Sequence, residues 1–398
     1  DNETVANSMP MYRVILTYSE QIELQNILSS QANCDAEMNA TLITANGTGT
    51  DVRHLCGIRN RGAGRRGRSP HNYRVNVPKD NRWKNLSELN LNANYIHLQL
   101  SGSTLALKAG LPVASARAVQ LRINGGNPAL AGQTVSGPSG TIGSGFGTYL
   151  FIEPIGGEWA KQHFLDDPNG NVYRASRAPW TANLDYRGTD HAVYESEGYA
   201  KTSNQSDQDW SDLIDLTYAL SPYTPDASYV QAIRQRANVE EWLRYFAFCN
   251  FVNYNESSLC NGVGDDYALY RGINDTRFVI VAHDFDTILG MGDGDYLPNT
   301  AASIWRALEN VRGVGTTQMA NFLARFMRHN EFAPVYFKEY KRLLDTVFTP
   351  EVFNPTLDQL LGGWVSSAQI DPLKTFLINR RAGVLSQFQT NYSVAVSL

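Results

Sequence analysis

The sequence predicts an α+β chain of two lobes, a small β-rich lobe over residues 1–155 and a larger, mainly helical lobe over residues 156–398. Up to about residue 155 the apolar residues alternate, or run in short blocks between Gly- and Asn-rich turns; beyond it they recur at helical spacing. The length of 398 residues exceeds what one hydrophobic core usually organises. The change of pattern falls at residues 153–158, the expected hinge.

Each element follows from local pattern. MYRVILTYSEQIELQNIL, residues 11–28, reads as a strand and then a short helix. Residues 30–52 read as an edge hairpin turning at Asn46-Gly47. Residues 54–77 give one strand before an Arg/Gly loop and another, YRVNV, after it. Residues 97–107 fit strand or helix equally. Residues 117–124 and 148–155 read as strands, and the Gly/Ser/Pro-rich stretch 125–147 between them reads as loop, its 137–147 part as an inserted surface loop. Helical patterns follow at 157–165, 208–220, 227–235, 239–253, 301–311, 316–328, 331–346 and 372–391.

Composition removes several function classes. A net charge of −5 offers no broad basic field for nucleic acid. No apolar run reaches the ~18–20 residues of a membrane span. There is no Gly-x-Ser-x-Gly elbow, the seven histidines lack metalloprotease spacing, and GPSGTIGSGFG at 137–147 lacks the Lys-Ser/Thr ending of a P-loop. Cys34, Cys56, Cys249 and Cys260 lack CxxC spacing, which argues against structural zinc. Cys34–Cys56 and Cys249–Cys260 are the sequence-local pairs if the chain is exported; four free thiols are the alternative. Low lysine, eight Asn-x-Ser/Thr sequons and abundant Asn, Ser, Thr and Tyr lean toward an extracellular setting. The opening DNETVANS has no initiator Met and no charged-then-apolar leader, so the numbered chain is expected to be a processed or excised segment.

The most informative segment runs from Asn238 to Gly290. An amphipathic helix leads into an Asn-rich loop, then a short strand YALYR, then the apolar strand RFVIVA, which ends in His283-Asp284-Phe285-Asp286. Carboxylates at the mouth of a buried strand, opposite an Asn/Asp loop, suit a hard cation and the phosphates it bridges.

These pieces, with others spread along the chain, resemble the CotH family of spore-coat kinases, an atypical branch of the protein-kinase-like fold. Arg61-Gly62 through Tyr73 matches the family's Arg-Gly loop and following strand, Leu91 through Tyr95 its LNAxY turn, and Tyr149 through Glu153 its YLxxE strand. Tyr199-Ala-Lys201-Thr202, Asn238 through Tyr245, Tyr267 through Arg271 and Asp284-Phe-Asp286 follow in the family's order, with Arg380-Arg381 in the closing helix.

The resemblance implies a bilobal kinase-like fold and an exported protein that binds ATP with Mg2+ or Mn2+ and phosphorylates Ser or Thr of a protein. It implies a metal site of Asp284, Asp266 and Asp286, with Arg66, Arg61, His71, Glu153 and Lys201 around the nucleotide. Asn253, Asn255 and Glu256 fall in the catalytic loop. Arg65 and Arg68 share the Arg/Gly loop, where guanidinium forks and backbone N–H groups can fold over phosphates.

Departures from the family pattern bear on activity. His71 stands where lysine is usual, Asn255 where an Asp is expected, and Asp266 where an Asn is expected; residues 257–264 lengthen the loop. An amide at 255 cannot accept the substrate proton, and losing a general base costs ~10²–10⁴ in rate. Glu256 takes that role if the loop is shifted by one residue. The alternative function is a catalytically inactive kinase-like module that serves a surface or extracellular assembly. The same residues serve structure alone if Asp284 and Asp286 cap a turn, if Glu153 and Lys201 face solvent, and if the arginines are a solvated loop.

Overall fold

A computed structural model describes residues 9–30, 34–46, 49–62, 66, 69–129, 131–137, 140–175, 178–256, 258–292, 299–311 and 313–391. The chain is a mixed α+β protein, as its pattern predicts. The first part holds β1 (Met11–Ile15), α1 (Tyr18–Ser30), β2 (Met38–Ala45), β3 (Thr50–Arg61), β4 (Asn72–Asn76), β5 (Glu88–Asn92), α2 (Ile96–Lys108), β6 (Ala116–Ile123), β7 (Ala131–Gly137), β8 (Gly140–Phe146) and β9 (Tyr149–Ile152). Seven of these strands close a barrel in the order β1-β2-β3-β4-β5-β9-β6, sealed by the parallel pair β1–β6.

Alternation decides which side chains fill the barrel. Ile58, Tyr73, Val75, Leu89, Leu91, Val119, Leu121, Tyr149 and Phe151 point inward and share one apolar core. The intervening residues Arg61, Arg74, Glu88, Asn92, Leu150 and Ile152 therefore lie on the outer face. Leu150 and Ile152 join the second, larger core, so this outer face is also the one that meets the rest of the chain.

The remainder comprises α3 (Gly157–His163), β10 (Asn171–Ala175), α4 (His191–Ser196), β11 (Tyr199–Lys201), α5 (Ser211–Leu220), α6 (Asp226–Arg236), α7 (Val239–Phe251), β12 (Tyr267–Arg271), β13 (Val279–Ala282), α8 (Leu323–Met327), α9 (Ala333–Thr346), α10 (Pro350–Leu361) and α11 (Ser367–Asn391). A second sheet has the order β11-β10-β12-β13. Helix α7 starts where Asn238 accepts a hydrogen bond from the Glu241 N–H at 3.2 Å, an N-cap. It is buried on nearly every side, through Trp242, Tyr245, Phe246 and Phe248. Arg380 of α11 ties down its far end, donating to the Asn250 carbonyl at 3.1 Å and to its side chain at 2.7 Å. The closing-helix arginine is thus a buried clamp on the entry to the Asn-rich loop.

Several expectations need correction. Residues 125–147 are not all loop: β7 and β8 pair antiparallel within them, because small residues without bulk still make a backbone ladder. The expected helices at 301–311 and 316–328 shrink to a single 3-10 turn at Arg306–Leu308 and the short α8. There the apolar spacing serves packing of an irregular segment broken by Gly313 and Gly315. Residues 97–107 resolve as helix. Helix α10 lies outside the expected helical patterns; Pro350 sits in its first turn, where proline is compatible with a helix. Of the two readings of the cysteines the structure shows four free thiols, and the sequence-local pair Cys249 and Cys260 is close enough to be hydrogen-bonded. The turn residue Gly47, and Arg65, Arg68 and Ser257, lie outside the described residues. No described helix is long and apolar enough to cross a membrane.

Candidate metal and phosphate site

The site is built on the β12–β13 hairpin. Tyr267 pairs with Ala282, so Asp266 before β12 and His283-Asp284 after β13 leave from the same open end. Asp266 and Asp284 both adopt left-handed backbone, with φ of 45° and 52°. Short polar residues tolerate that conformation, and here it turns both side chains out of the pleat. Donor atoms of Asp266, His283 and Asp284 all lie within 4.8 Å of one another. Asp266 is buried, and the other two are half-buried.

Neighbouring rings fix this end of the hairpin. Phe285, between the two carboxylates of the motif, turns inward and packs edge-on against Phe248 and Tyr254, each with ring centroids 5.7 Å away. It also rests on Gly102 of α2, where there is no room for a Cβ. The Tyr254 hydroxyl donates to the His283 carbonyl at 3.1 Å.

The Asn-rich loop is laced to the segment after Asp284. The Asn255 N–H donates to the Thr287 carbonyl at 3.0 Å, and the Leu289 N–H to the Val252 carbonyl at 2.7 Å. A buried guanidinium, Arg306, donates through Nη1 to Asn253 Oδ1 and through Nη2 to Asn255 Oδ1, the latter at 2.6 Å. Thr287 Oγ1 donates to Glu256 Oε1 at 2.6 Å and lies 3.2 Å from Asp286 Oδ1. Burial, then the charges of Asp284 and Glu256, push the Asp286 carboxyl well above the usual range, and it shares a hydrogen bond with Glu256. Asp286 is therefore turned toward Glu256 and Thr287, and His283 takes its place beside Asp266 and Asp284. The hairpin register carried that signal: residue 283 follows the partner of Tyr267, opposite Asp266.

Two cations face this carboxylate group, Arg61 on β3 and Arg174 on β10, the strand beside β12. Arg74 on β4 projects from the same outer face of the barrel as Arg61. Burial pushes Arg61 down to about 10, helped by the Arg74 charge and opposed by Asp284. Burial likewise lowers Arg174, opposed by Asp266 and then Asp284. Arg61 also donates to Asn92, and Arg74 pairs with Glu88 at 3.0 Å. A cleft of about 500 Å³ shares Arg74 and Arg174 with this group and is lined besides by Lys79, Arg82, Lys161, Glu88, Glu158 and the Pro154–Gly157 segment, while Asp266, His283, Asp284 and Arg61 lie outside its lining. Reading the sequence missed Arg74 and Arg174, whose relevance depends on which barrel face meets the second sheet.

The other predicted nucleotide residues are engaged locally. Arg66 donates to the Gly62 carbonyl at 2.7 Å and pairs with Asp35 at 2.5 Å. His71 is lowered by burial, so its imidazole is neutral near pH 7. Lys201 donates to the carbonyls of Asp207 and Asp209 at 3.1 and 2.7 Å, a structural anchor for that turn. Glu153 is buried and accepts from the Ser115 N–H at 3.1 Å and Gln162 at 3.1 Å, with His163 at 2.7 Å.

The CotH kinase protein family model matches residues 58–394, which contain β12, β13, the Asn-rich loop, four of the seven barrel strands and the end of β3. The chain belongs to the CotH kinase family. No curated protein matches it. Among solved structures, the Helicobacter pylori proinflammatory kinase CtkA is similar at 10% identity, with 80% of this chain and 95% of that one covered and a TM-score of 0.38. The HipA, HipB and operator DNA complex of the Shewanella oneidensis MR-1 toxin–antitoxin system is similar at 9% identity, with 96% and 73% covered and a TM-score of 0.34. Likenesses this slight carry no weight here. CotH membership places the hairpin carboxylates and the Asn-rich loop within the matched region.

Proposed function

We propose that this CotH-family chain has a bilobal, kinase-like plan, dividing near residue 155, and binds ATP with Mg2+ or Mn2+ in the cleft between the barrel and the second sheet. The observation that carries this reading is the Asp266–His283–Asp284 donor set facing Arg61 and Arg174. Two carboxylates and an imidazole fit a divalent ion by donor chemistry. An ion held there would supply charge neutralisation for phosphate, and the guanidinium groups of Arg61 and Arg174 would share the remaining phosphate charge. Calorimetry with ATP and Mn2+ tests the reading: Asp284→Ala should abolish metal-dependent nucleotide binding, and unchanged affinity would sink it.

Phosphoryl transfer to Ser or Thr of a protein is the weaker half of the proposal. Asn255 presents its amide oxygen to Arg306 and has no basic atom for a proton. Glu256 is committed to Thr287 and Asp286. Together these favour a second reading, a nucleotide-binding module with slow or absent transfer, acting in an extracellular or surface assembly. Transfer of ³²P to a mixed protein substrate separates the two readings. The module reading expects little transfer from the native chain and a gain with Asn255→Asp. Brisk native transfer that Glu256→Gln abolishes would make Glu256 the base.

A further inference from the structure

We propose that His283 is itself a ligand of the metal site and tilts its preference toward a first-row transition ion, Mn2+ above Mg2+. This rests on the metal-binding reading above and adds to it the kind of ion the site selects. The donor atoms of His283, Asp266 and Asp284 lie within 4.8 Å of one another. Opposite ligands of an ion with bonds of about 2.0–2.4 Å stand at most about 4–5 Å apart, so one cation can touch all three.

The backbone that carries the imidazole is held in place. Its backbone carbonyl is held by the Tyr254 hydroxyl, and the Ala282 N–H just before it donates to the Pro112 carbonyl at 3.1 Å. The next residue but one, Phe285, is locked between rings of α7 and its loop. The strand end therefore cannot rotate freely, and residue 283 faces Asp266 by register.

Ligand chemistry then sets the preference. Mg2+ demands oxygen ligands near ideal octahedral geometry and keeps much of its water. An imidazole nitrogen adds little for Mg2+ but strengthens binding of first-row transition ions. A set of two carboxylates and one imidazole thus separates ions that an all-oxygen set would treat more evenly. Arg61 and Arg174 contribute charge but no donor atoms, so they penalise all divalent ions alike.

The test uses the full chain, titrated calorimetrically with Mn2+ and with Mg2+, together with pulsed electron paramagnetic resonance of bound Mn2+ to detect a coordinated ¹⁴N. The native chain should show nitrogen coupling and bind Mn2+ more tightly than Mg2+. His283→Gln should lose the coupling and lower the Mn2+/Mg2+ affinity ratio by about tenfold or more, with Mg2+ affinity little changed. A thermal melt without metal checks that the variant folds. If Asp284→Ala removes Mn2+ binding but native Mn2+ shows no ¹⁴N coupling, or His283→Gln keeps the ratio, this inference falls and the site stands. If Asp284→Ala binds Mn2+ as the native chain does, both fall.

Discussion

Gly102→Ala tests how the fold holds Asp284, the carboxylate proposed to bind the metal. A Cβ at residue 102 would lie 2.3 Å from Phe285 Cβ, 2.6 Å from its Cγ and 3.0 Å from Ile288 Cδ1. Carbon atoms in good contact stand about 3.5–4.0 Å apart, so the Phe285 ring or α2 must withdraw by more than ~1 Å. Helix propensity works the other way and favours alanine by about 0.5–1 kcal/mol. Overpacking a tight site costs about 1–3 kcal/mol, which leaves a net loss of about 0–2.5 kcal/mol. The local effect is larger, because Phe285 adjoins Asp284 and any withdrawal moves that carboxylate relative to Asp266. Outer support of a metal ligand is commonly worth about 10–100-fold in affinity, and a loss of that size is expected for Mn2+. Urea denaturation and calorimetry measure the two effects. Gly363→Ala is the control, since nothing lies within 4 Å of its added Cβ, and it should be neutral or slightly stabilising. A Gly102→Ala protein as stable as the native chain, with full Mn2+ affinity, would refute the packing argument.

Other perturbations read different parts of the site. Arg174→Met should weaken binding of a non-hydrolysable ATP analogue by about tenfold or more, because a charge-assisted phosphate contact is lost. The same variant should bind free Mn2+ somewhat more tightly, since a cation acting on Asp266 and Asp284 is gone; equal calorimetric affinities for both ligands would contradict it. Burial raises Glu241 from 4.5 to about 8, although the Ile280 N–H donates to it. The folded state thus holds a proton that the unfolded state releases, so stability should decline as pH rises from about 4.5 to about 8. Glu241→Gln keeps the acceptor and removes the ionisation. Denaturation midpoints of that variant should fall less steeply over this window, and an unchanged slope would reject the assignment.

Much of the fold was legible because its signals are local. The β1–α1 pair, β3, β4, β6 and α7 follow from alternation or helical spacing within one segment, and the family's motifs lie in order along the chain. The β7–β8 hairpin was missed because glycine-rich strands carry no alternation of bulk. At the site, Asp266 and Asp284 were readable because each sits beside a clear strand. Arg74 and Arg174 were not, since a strand's sequence gives two faces without saying which one another sheet will cover. Arg306 was hidden for a similar reason: it lies about fifty residues from the amides it holds, in a stretch whose pattern read as helix. Asp286 meets Glu256 and Thr287, a contact that spacing alone does not reveal.

These contacts divide the site into two parts that can vary independently. The metal end depends on the β12–β13 register and on Phe285 seated against Gly102 and α7, none of which involves residue 255. The loop end depends on Arg306, whose guanidinium meets two neutral amides where a carboxylate would make an ion pair. An Asp at 255 would find that cation 2.6 Å away, and its charge would be held by Arg306 as much as offered to a substrate. The amide therefore relaxes one electrostatic constraint while leaving the loop's position intact through the Asn255–Thr287 and Leu289–Val252 backbone bonds. A chain built this way can vary at residue 255 without moving the Asp266–His283–Asp284 donor set, which is why binding and catalysis have to be measured separately in this protein.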